Sequence, residues 1–351
     1  MFLIVLGTRP QIIKFAPLCW ELNERKIPFC AVNTGQHYDF EMCDSFYADF
    51  DIPAPNYNLQ VGGGSQNQQI GLTLLRLEPI LDKVKPSLCI VFGDTNSTLA
   101  ASLACNKASI PIAHIEAGLR SFNLEMPEET NRILVDHMAN WNFCPTKIAC
   151  RNLEAERITD NVHFVGDLMY DLAESQLSKN RINEDVLLQF NIYSKKFCLL
   201  TFHRKENLSS PAKIKGILAA MAKISQETPV IWPAHPGTLD KIKKHKIEIP
   251  QQIQIVKPLP YFQLATLQRY ARVIFTDSGG IQKEAYFHST PCVTLREETE
   301  WIETVENGWN TIAGTNEHKI LEAYNDSKLR TTFDGYGNGS AASKILDTLQ
   351  R

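Results

Sequence analysis

The chain has 351 residues, of which 44% are hydrophobic and 21% charged, and its formal net charge is −3 at pH 7. That length exceeds what one ordinary core occupies and points to two domains. The composition excludes a largely disordered chain, and the charge balance excludes a generic nucleic-acid-binding surface.

Short, mostly apolar runs alternate with longer helical stretches. Runs at 2–6, 29–33, 88–92, 110–115, 141–144 and 162–165 read as strands of a first domain. Runs at 198–202, 230–232, 253–256, 273–275 and 291–295 read as strands of a second. Such runs are buried on both faces, as parallel strands beneath helices are. The alternation predicts an α/β fold of two Rossmann-like domains. The linker is expected near 166–170, with a first domain over 1–167 and a second over 168–335. Residues 336–351 are expected to form a helix that returns to the first domain.

The first apolar run lacks a basic leading segment and is cut short by Gly7-Thr8-Arg9-Pro10. It reads as a buried strand rather than a targeting sequence. No run approaches the ~20 apolar residues that span a bilayer, so no membrane partner is expected. Nine cysteines are scattered without a C-x-x-C pair. That pattern fits a reducing cytoplasm and no metal site.

In open α/β sheets ligands bind beyond the carboxyl ends of the strands, and here those positions are polar. The first strand runs into Arg9 and Pro10, with Lys14 a turn into the following helix, so two cations and helix N–H groups face one edge. Asp94 follows 88–92, although an Asp there also serves as an ordinary helix cap. Glu116 ends the apolar run 110–115, where a carboxylate is costly unless paired or used. Glu128 and Glu129 open a helix whose dipole favours acids. Each acid has an ordinary explanation singly; their convergence with Arg9 is harder to explain that way.

In the second half, His203 and Arg204 follow 198–202, and His235 follows 230–232. The stretch Thr276-Asp277-Ser278-Gly279-Gly280 opens a helix containing Gln282 and Glu284. Glycines at a helix N-terminus let the backbone approach a phosphate. There is no Walker A motif and no spaced G-x-G-x-x-G, which counts against an NTPase or a nicotinamide enzyme.

The ordered set of motifs resembles the non-hydrolysing UDP-N-acetylglucosamine 2-epimerases, of the GT-B fold, over essentially the whole chain. It comprises Gly7-Thr8-Arg9-Pro10 with Lys14, Gly93-Asp94-Thr95, His114-Ile115-Glu116-Ala117-Gly118-Leu119-Arg120 and Pro127-Glu128-Glu129-Thr130-Asn131-Arg132. His203-Arg204, Asp277-Ser278-Gly279-Gly280, Gln282, Glu284, Arg296 and Tyr336-Gly337-Asn338-Gly339 complete it. The resemblance implies that Asp94, Glu116 and Glu128 are acid/base groups. Arg9, Lys14 and His203 would contact the nucleotide sugar, with His203 counted among the catalytic set. Ser278, Gly279 and Gly280 would hold the diphosphate, and Glu284 the ribose. It also implies anti elimination of UDP to a 2-acetamidoglucal, re-addition with C2 inverted, a site in the cleft between the domains, a homodimer, no cofactor, and a role in supplying surface polysaccharide precursors.

Several residues depart from that pattern. Gln11 stands where the N-acetylglucosamine enzymes usually carry Glu, and Leu259 and Trp301 where they carry Gln and Arg. Gln11, with the stretches 33–39, 120–123, 282–285 and 299–301, is similar to relatives acting on UDP-2,3-diacetamido-2,3-dideoxyuronates. Gln36 matches one residue of the bacterial allosteric substrate site, but Asp39 and Leu72 stand at the other two places, so that activation is not expected. Three rival readings remain: a GT-B glycosyltransferase, a hydrolysing epimerase, against which Arg9-Pro10 argues, and a silent nucleotide-sugar sensor.

Overall fold

The structure, a computed structural model, describes residues 1–36, 46–179, 181–326, 330–331 and 335–350. It divides into two compact units, one of Met1–Ser175 with Asp334–Arg351 and one of Gln176–Phe333. Each unit is built on an all-parallel sheet flanked by helices.

The first sheet contains β1 (Phe2–Leu6), β2 (Phe29–Asn33), β3 (Tyr57–Asn58), β4 (Leu88–Phe92), β5 (Ile112–Ile115), β6 (Trp141–Cys144) and β7 (Val162–Phe164). Its order is β3-β2-β1-β4-β5-β6-β7. The second contains β8 (Cys198–Thr201), β9 (Val230–Pro233), β10 (Ile253–Val256), β11 (Val273–Thr276), β12 (Cys292–Thr294) and β13 (Asn310–Ile312), in the order β10-β9-β8-β11-β12-β13. The two sheets repeat one topology. The chain winds outward from β1 through β3, returns to β4 beside β1, and winds the other way; β8 and β11 do the same. Those neighbours form the topological switch points, where α/β sheets open a crevice at the strand ends.

Burial on both faces explains why the inner strands β1 and β4 are apolar throughout. Leu3, Val5, Val32, Cys89 and Val91 pack with Leu77 and Leu81 of the helix Gln66–Val84. In the second unit Leu200, Trp232 and Phe275 pack with Ile217 and Met221 of the helix Pro211–Ile224. The Phe202 and Trp232 rings stack at 4.7 Å. Each fully buried side chain of this size contributes about 1.5–3 kcal/mol. Two short strands, β3 and β13, were not among the apolar runs expected from the sequence. Both lie at sheet edges and pair on one side only.

The last helix, Ala341–Leu349, belongs to the first unit and packs against the helix Arg9–Glu24. Arg25 donates to Asp347 at 2.6 Å and to Ser343 Oγ at 2.7 Å. Asp171 accepts from the Ala342 N–H at 2.9 Å, capping that helix from a distance. The chain enters this contact through Gly166, at φ +96°, where an added Cβ would stand 2.7 Å from the Tyr336 carbonyl oxygen.

Candidate active site

Both switch points carry the polar residues singled out from the sequence. In the first unit, the turn after β1 leads into the helix Arg9–Glu24, so the helix opens with Arg9, and Pro10 takes its second position. Gln11 holds this turn to β4. Its carbonyl oxygen accepts from the N–H groups of Gly7 at 2.7 Å and Thr8 at 3.1 Å. Its amide donates to the Phe92 carbonyl at 2.7 Å and approaches the Thr98 hydroxyl at 2.9 Å.

Lys14, buried one turn further on, pairs with Glu116. Glu116 follows β5 in the left-handed region at φ +69°, a conformation that costs a non-glycine residue about 1–3 kcal/mol. The N–H groups of Glu116 and Ala117 both donate to the Phe143 carbonyl, at 3.0 and 3.1 Å, and hold it there. A Cβ on Gly93 would stand 3.0 Å from Glu116 Oε2 and 3.7 Å from Lys14 Nζ, so this pair lies directly beside the turn carrying Asp94.

Asp94 does not cap the following helix. That role belongs to Thr95, whose side chain accepts from the Thr98 N–H. The Asp94 carboxylate instead meets Arg132 of the helix Pro127–Met138 at 2.5 Å, and Asn131 donates to the Asp94 carbonyl at 2.9 Å. The two neighbouring acids of that helix part company. Glu129 is buried and accepts from the N–H groups of Ser121 and Phe122 and from Arg132. Burial raises its pKa, but these donors outweigh it and leave the carboxyl below its ordinary range. Glu128 is exposed. It precedes Asn131 and Arg132 by three and four residues, and so shares their helix face toward Asp94.

In the second unit His203 follows β8 and its side chain is 58% exposed. Its backbone is fixed by Asp277, which is fully buried after β11. Asp277 accepts from the N–H of His203 at 3.1 Å, the N–H of Arg204 at 2.9 Å and the Asn207 amide at 3.0 Å. The His203 ring lies 3.6 Å from the same carboxylate. Ser278 precedes the helix Gly279–Phe287 and gives it no side-chain cap. A Cβ on Gly279 would stand 2.5 Å from Glu300 Oε1 and force that side chain to shift, whereas at Gly280 the nearest atom, Ser278 Oγ, is 4.0 Å away. Glu284, buried in this helix, accepts from the amide of Gln268 at 2.8 Å. His235 is a helix cap whose ring nitrogen accepts from the Gly237 N–H.

The structure thus gathers Lys14, Glu116 and Asp94 in the first unit, with Arg9 opening the helix at the same edge. His203, the Ser278-Gly279-Gly280 turn and Glu284 lie in the second. Arg132, Gln268 and the positioning role of Asp277 were not assigned from the sequence. The spacing of Arg132 from Glu128, four residues on one helix, was the available signal for it.

A family model described as UDP-N-acetylglucosamine 2-epimerase matches residues 21–350. The chain belongs to the UDP-N-acetylglucosamine 2-epimerase family. A "UDP-N-acetylglucosamine 2-epimerase homolog" of Methanococcus maripaludis is 44% identical over 99% of this chain and 98% of its own length. A UDP-2,3-diacetamido-2,3-dideoxy-D-glucuronate 2-epimerase of Pseudomonas aeruginosa is 39% identical over 99% of both chains. The solved UDP-GlcNAc 2-epimerase of Methanocaldococcus jannaschii, in complex with UDP-GlcNAc and UDP, is 37% identical. It has a TM-score of 0.91 and covers 100% of this chain and 99% of its own.

Among the epimerase-family departures, Trp301 is buried with its indole nitrogen 3.5 Å from the Gly279 Cβ position, and Lys283 Nζ lies 4.2 Å above its ring. Leu259 packs into an apolar cluster. Gln36 is turned inward and accepts from the Ser97 N–H and hydroxyl at 3.0 and 2.7 Å. Asp39 lies outside the described residues.

Proposed function

We propose that this chain is a non-hydrolysing isomerase that inverts C2 of a UDP-2-acetamido sugar, interconverting UDP-N-acetylglucosamine and UDP-N-acetylmannosamine. The observation that carries the reading is the meeting of the Lys14–Glu116 pair with the Asp94-bearing turn at the switch point of the first sheet. Removing a weakly acidic C2 proton needs a positioned base, and returning it to the opposite face needs a second group. Asp94, Glu116 and Glu128 supply carboxylates for both. As the proton leaves C2, the C1–O bond to UDP breaks and a glycal forms. UDP then re-adds at C1 while a proton is delivered to the other face of C2. The exchange is redox-neutral and requires no cofactor.

Expelling UDP places charge on the diphosphate. The N-terminus of the helix Gly279–Phe287, opened by Ser278, Gly279 and Gly280, suits that charge, with His203 at the neighbouring strand end. Arg9 and Lys14 add cations for the nucleotide sugar, and Glu284, oriented by Gln268, suits ribose hydroxyls.

A second substrate, the UDP-2,3-diacetamido-2,3-dideoxyglucuronate, is favoured by the Pseudomonas relative. Its 39% identity falls between the 38% and 41% of two archaeal UDP-N-acetylglucosamine 2-epimerases. We read the enzyme as a cytoplasmic homodimer serving polysaccharide precursor synthesis. The free thiols of Cys19, Cys30, Cys89, Cys105, Cys144, Cys150, Cys198 and Cys292 support a reducing compartment, and light scattering tests the assembly. No helix of the described residues is long and apolar enough to cross a membrane.

The test is proton NMR in heavy water with both UDP-sugars. Deuterium appearing at C2 of the manno epimer supports the reaction, and the faster sugar identifies the substrate. Measurable UDP binding without exchange at C2 of either sugar rejects the reading in favour of a transferase or a sensor.

A further inference from the structure

The first unit contains an ionic cluster, buried at His114, Arg120 and Asp136, that grips the backbone between the groups expected to meet substrate. His114, on β5, is 0% exposed. Its Nδ1 lies 2.7 Å from Asp136 Oδ1, and its Nε2 lies 2.8 Å from the Gly93 carbonyl oxygen. Asp136, on the helix Pro127–Met138, also accepts from the Gly118 N–H at 3.2 Å and from Arg120 at 2.7 Å. Arg120 in turn makes a paired contact with Glu156 at 2.6 and 2.7 Å.

The hydrogen-bond inventory determines how the ring is used. A carbonyl only accepts, so Nε2 carries a proton. The remaining contacts of Asp136 are all donors to its oxygens, which suits an ionised carboxylate, so Nδ1 carries a proton as well. Asp136 and Arg120 are buried, whereas the Glu156 side chain is 28% exposed and also lies 3.7 Å from His137 Nε2, so the protonation of the ring is read from its own two hydrogen-bond partners.

We propose that His114 is a positioning residue, an imidazolium clamp that fixes the Gly93 peptide and through it the relative placement of Asp94 and Glu116. The Gly93 N–H already donates to the Ile115 carbonyl at 2.9 Å. The His114 ring secures the other side of the same residue, so Gly93 is held on both sides by consecutive residues of β5. Asp94 is the next residue after Gly93, and Glu116 the next after Ile115. One clamp therefore ties the two candidate acid/base residues to each other, with Asp136 and Arg120 holding the clamp. The inference rests on the acid/base reading of Asp94 and Glu116, but its structural half does not.

The experiment has two arms. Long-range proton–nitrogen NMR of the unaltered protein with nitrogen-15-labelled histidine, assigned by loss of the signal in His114→Gln or His114→Asn, reads both ring nitrogens at neutral pH. Two protonated nitrogens are expected; one bare nitrogen overturns the clamp. Kinetics of the same variants form the second arm. A drop in kcat of roughly 10²-fold in the folded variant, with KM and UDP affinity held, is expected from sub-ångström misplacement of reacting groups, beside a lower melting temperature because Asp136 and the Gly93 carbonyl each lose a buried donor. Unchanged kcat in a folded variant, or loss only in proportion to unfolding, overturns the positioning role. If neither variant folds, a resonance shown to be His114 by through-space contacts to Gly93 and Asp136 decides by its protonation. Normal turnover in both Asp94→Asn and Glu116→Gln would instead remove the acid/base reading and leave the NMR result standing.

Discussion

Arg132 and Asp94 meet at 2.5 Å, joining the helix Pro127–Met138 to the turn after β4. The same guanidinium donates to the buried Glu129 at 2.8 Å, so one cation serves a structural acid and a candidate catalytic one. Arg132→Met keeps the stem and removes both contacts. It is expected to lower kcat/KM by roughly 10–10²-fold, the scale of losing one charge-stabilising donor or somewhat less. It should also cost about 1–3 kcal/mol of stability through the under-satisfied Glu129. Steady-state kinetics beside urea titration checks both, and a stability loss without a rate loss would make Arg132 purely structural.

Asp94→Asn, Glu116→Gln and Glu128→Gln each remove an ionisable carboxyl while keeping its shape. Each should reduce turnover by ~10²-fold or more while sparing UDP binding. Near-normal rates in all three would end the proposed mechanism. The exposed Glu128 is the sharpest case, because its replacement should leave the melting temperature unchanged.

Gly7 is surrounded too closely for any side chain. A Cβ there would stand 2.0 Å from Ser97 Oγ and 2.5 Å from Thr34 Oγ1, splitting two hydroxyls that bond each other at 2.7 Å. Gly7→Ala should cost about 1–3 kcal/mol by overpacking. Adding Ser97→Ala should restore only part, because the Ser97 Cβ, at 2.7 Å, remains. Denaturant midpoints of the single and double variants test this; full restoration would show that the hydroxyl alone sets the limit.

Burial raises the Asp171 carboxyl to about 6, against the opposing pull of the Ala342 and Ala341 N–H groups. A raised acid favours folding while protonated, so its contribution is complete below the unfolded value of about 4 and is lost as pH rises through about 6. Asp171→Asn keeps an acceptor for Ala342 and cannot ionise. Relative to it, the unaltered protein should lose up to about 2 kcal/mol of stability between pH 4 and 7. Parallel stability curves for the two proteins would contradict the assignment.

His288 behaves in the opposite sense. Burial, with Arg269 and Lys195 nearby, lowers its pKa to about 3. Its folded form stays neutral while the unfolded chain takes up a proton near 6.5. Stability from this residue is present above pH 6.5 and is lost as the pH falls toward 3. His288→Leu should flatten that acid limb in unfolding measurements at stepped pH. An unchanged limb would place the acid sensitivity elsewhere.

Much of this architecture was legible in the residues. The runs at Phe2–Leu6, Phe29–Asn33, Leu88–Phe92, Trp141–Cys144 and Ile253–Val256 are strands with those same bounds, and Leu88–Phe92, covered on both faces, is apolar at every position. The edge strands Tyr57–Asn58 and Asn310–Ile312 were not legible, since two and three mostly polar residues make no apolar run. Polar residues just beyond the strand ends were legible too, as candidates for the site.

Which partner each of those residues takes was decided only by the fold. Glu128 and Glu129 are neighbours of one chemical type, yet backbone donors 121 and 122 bury one and leave the other exposed. Thr95, and not Asp94, caps the helix after β4 because Arg132, 38 residues away, takes the aspartate. His114 and Asp136 lie 22 residues apart and meet only because strand and helix pack. By itself the sequence determined which segments are buried and what chemistry stands at their ends, since burial and polarity are local properties of the residues. Partners distant in the chain are chosen by strand order and helix packing, and only the tertiary structure decides those.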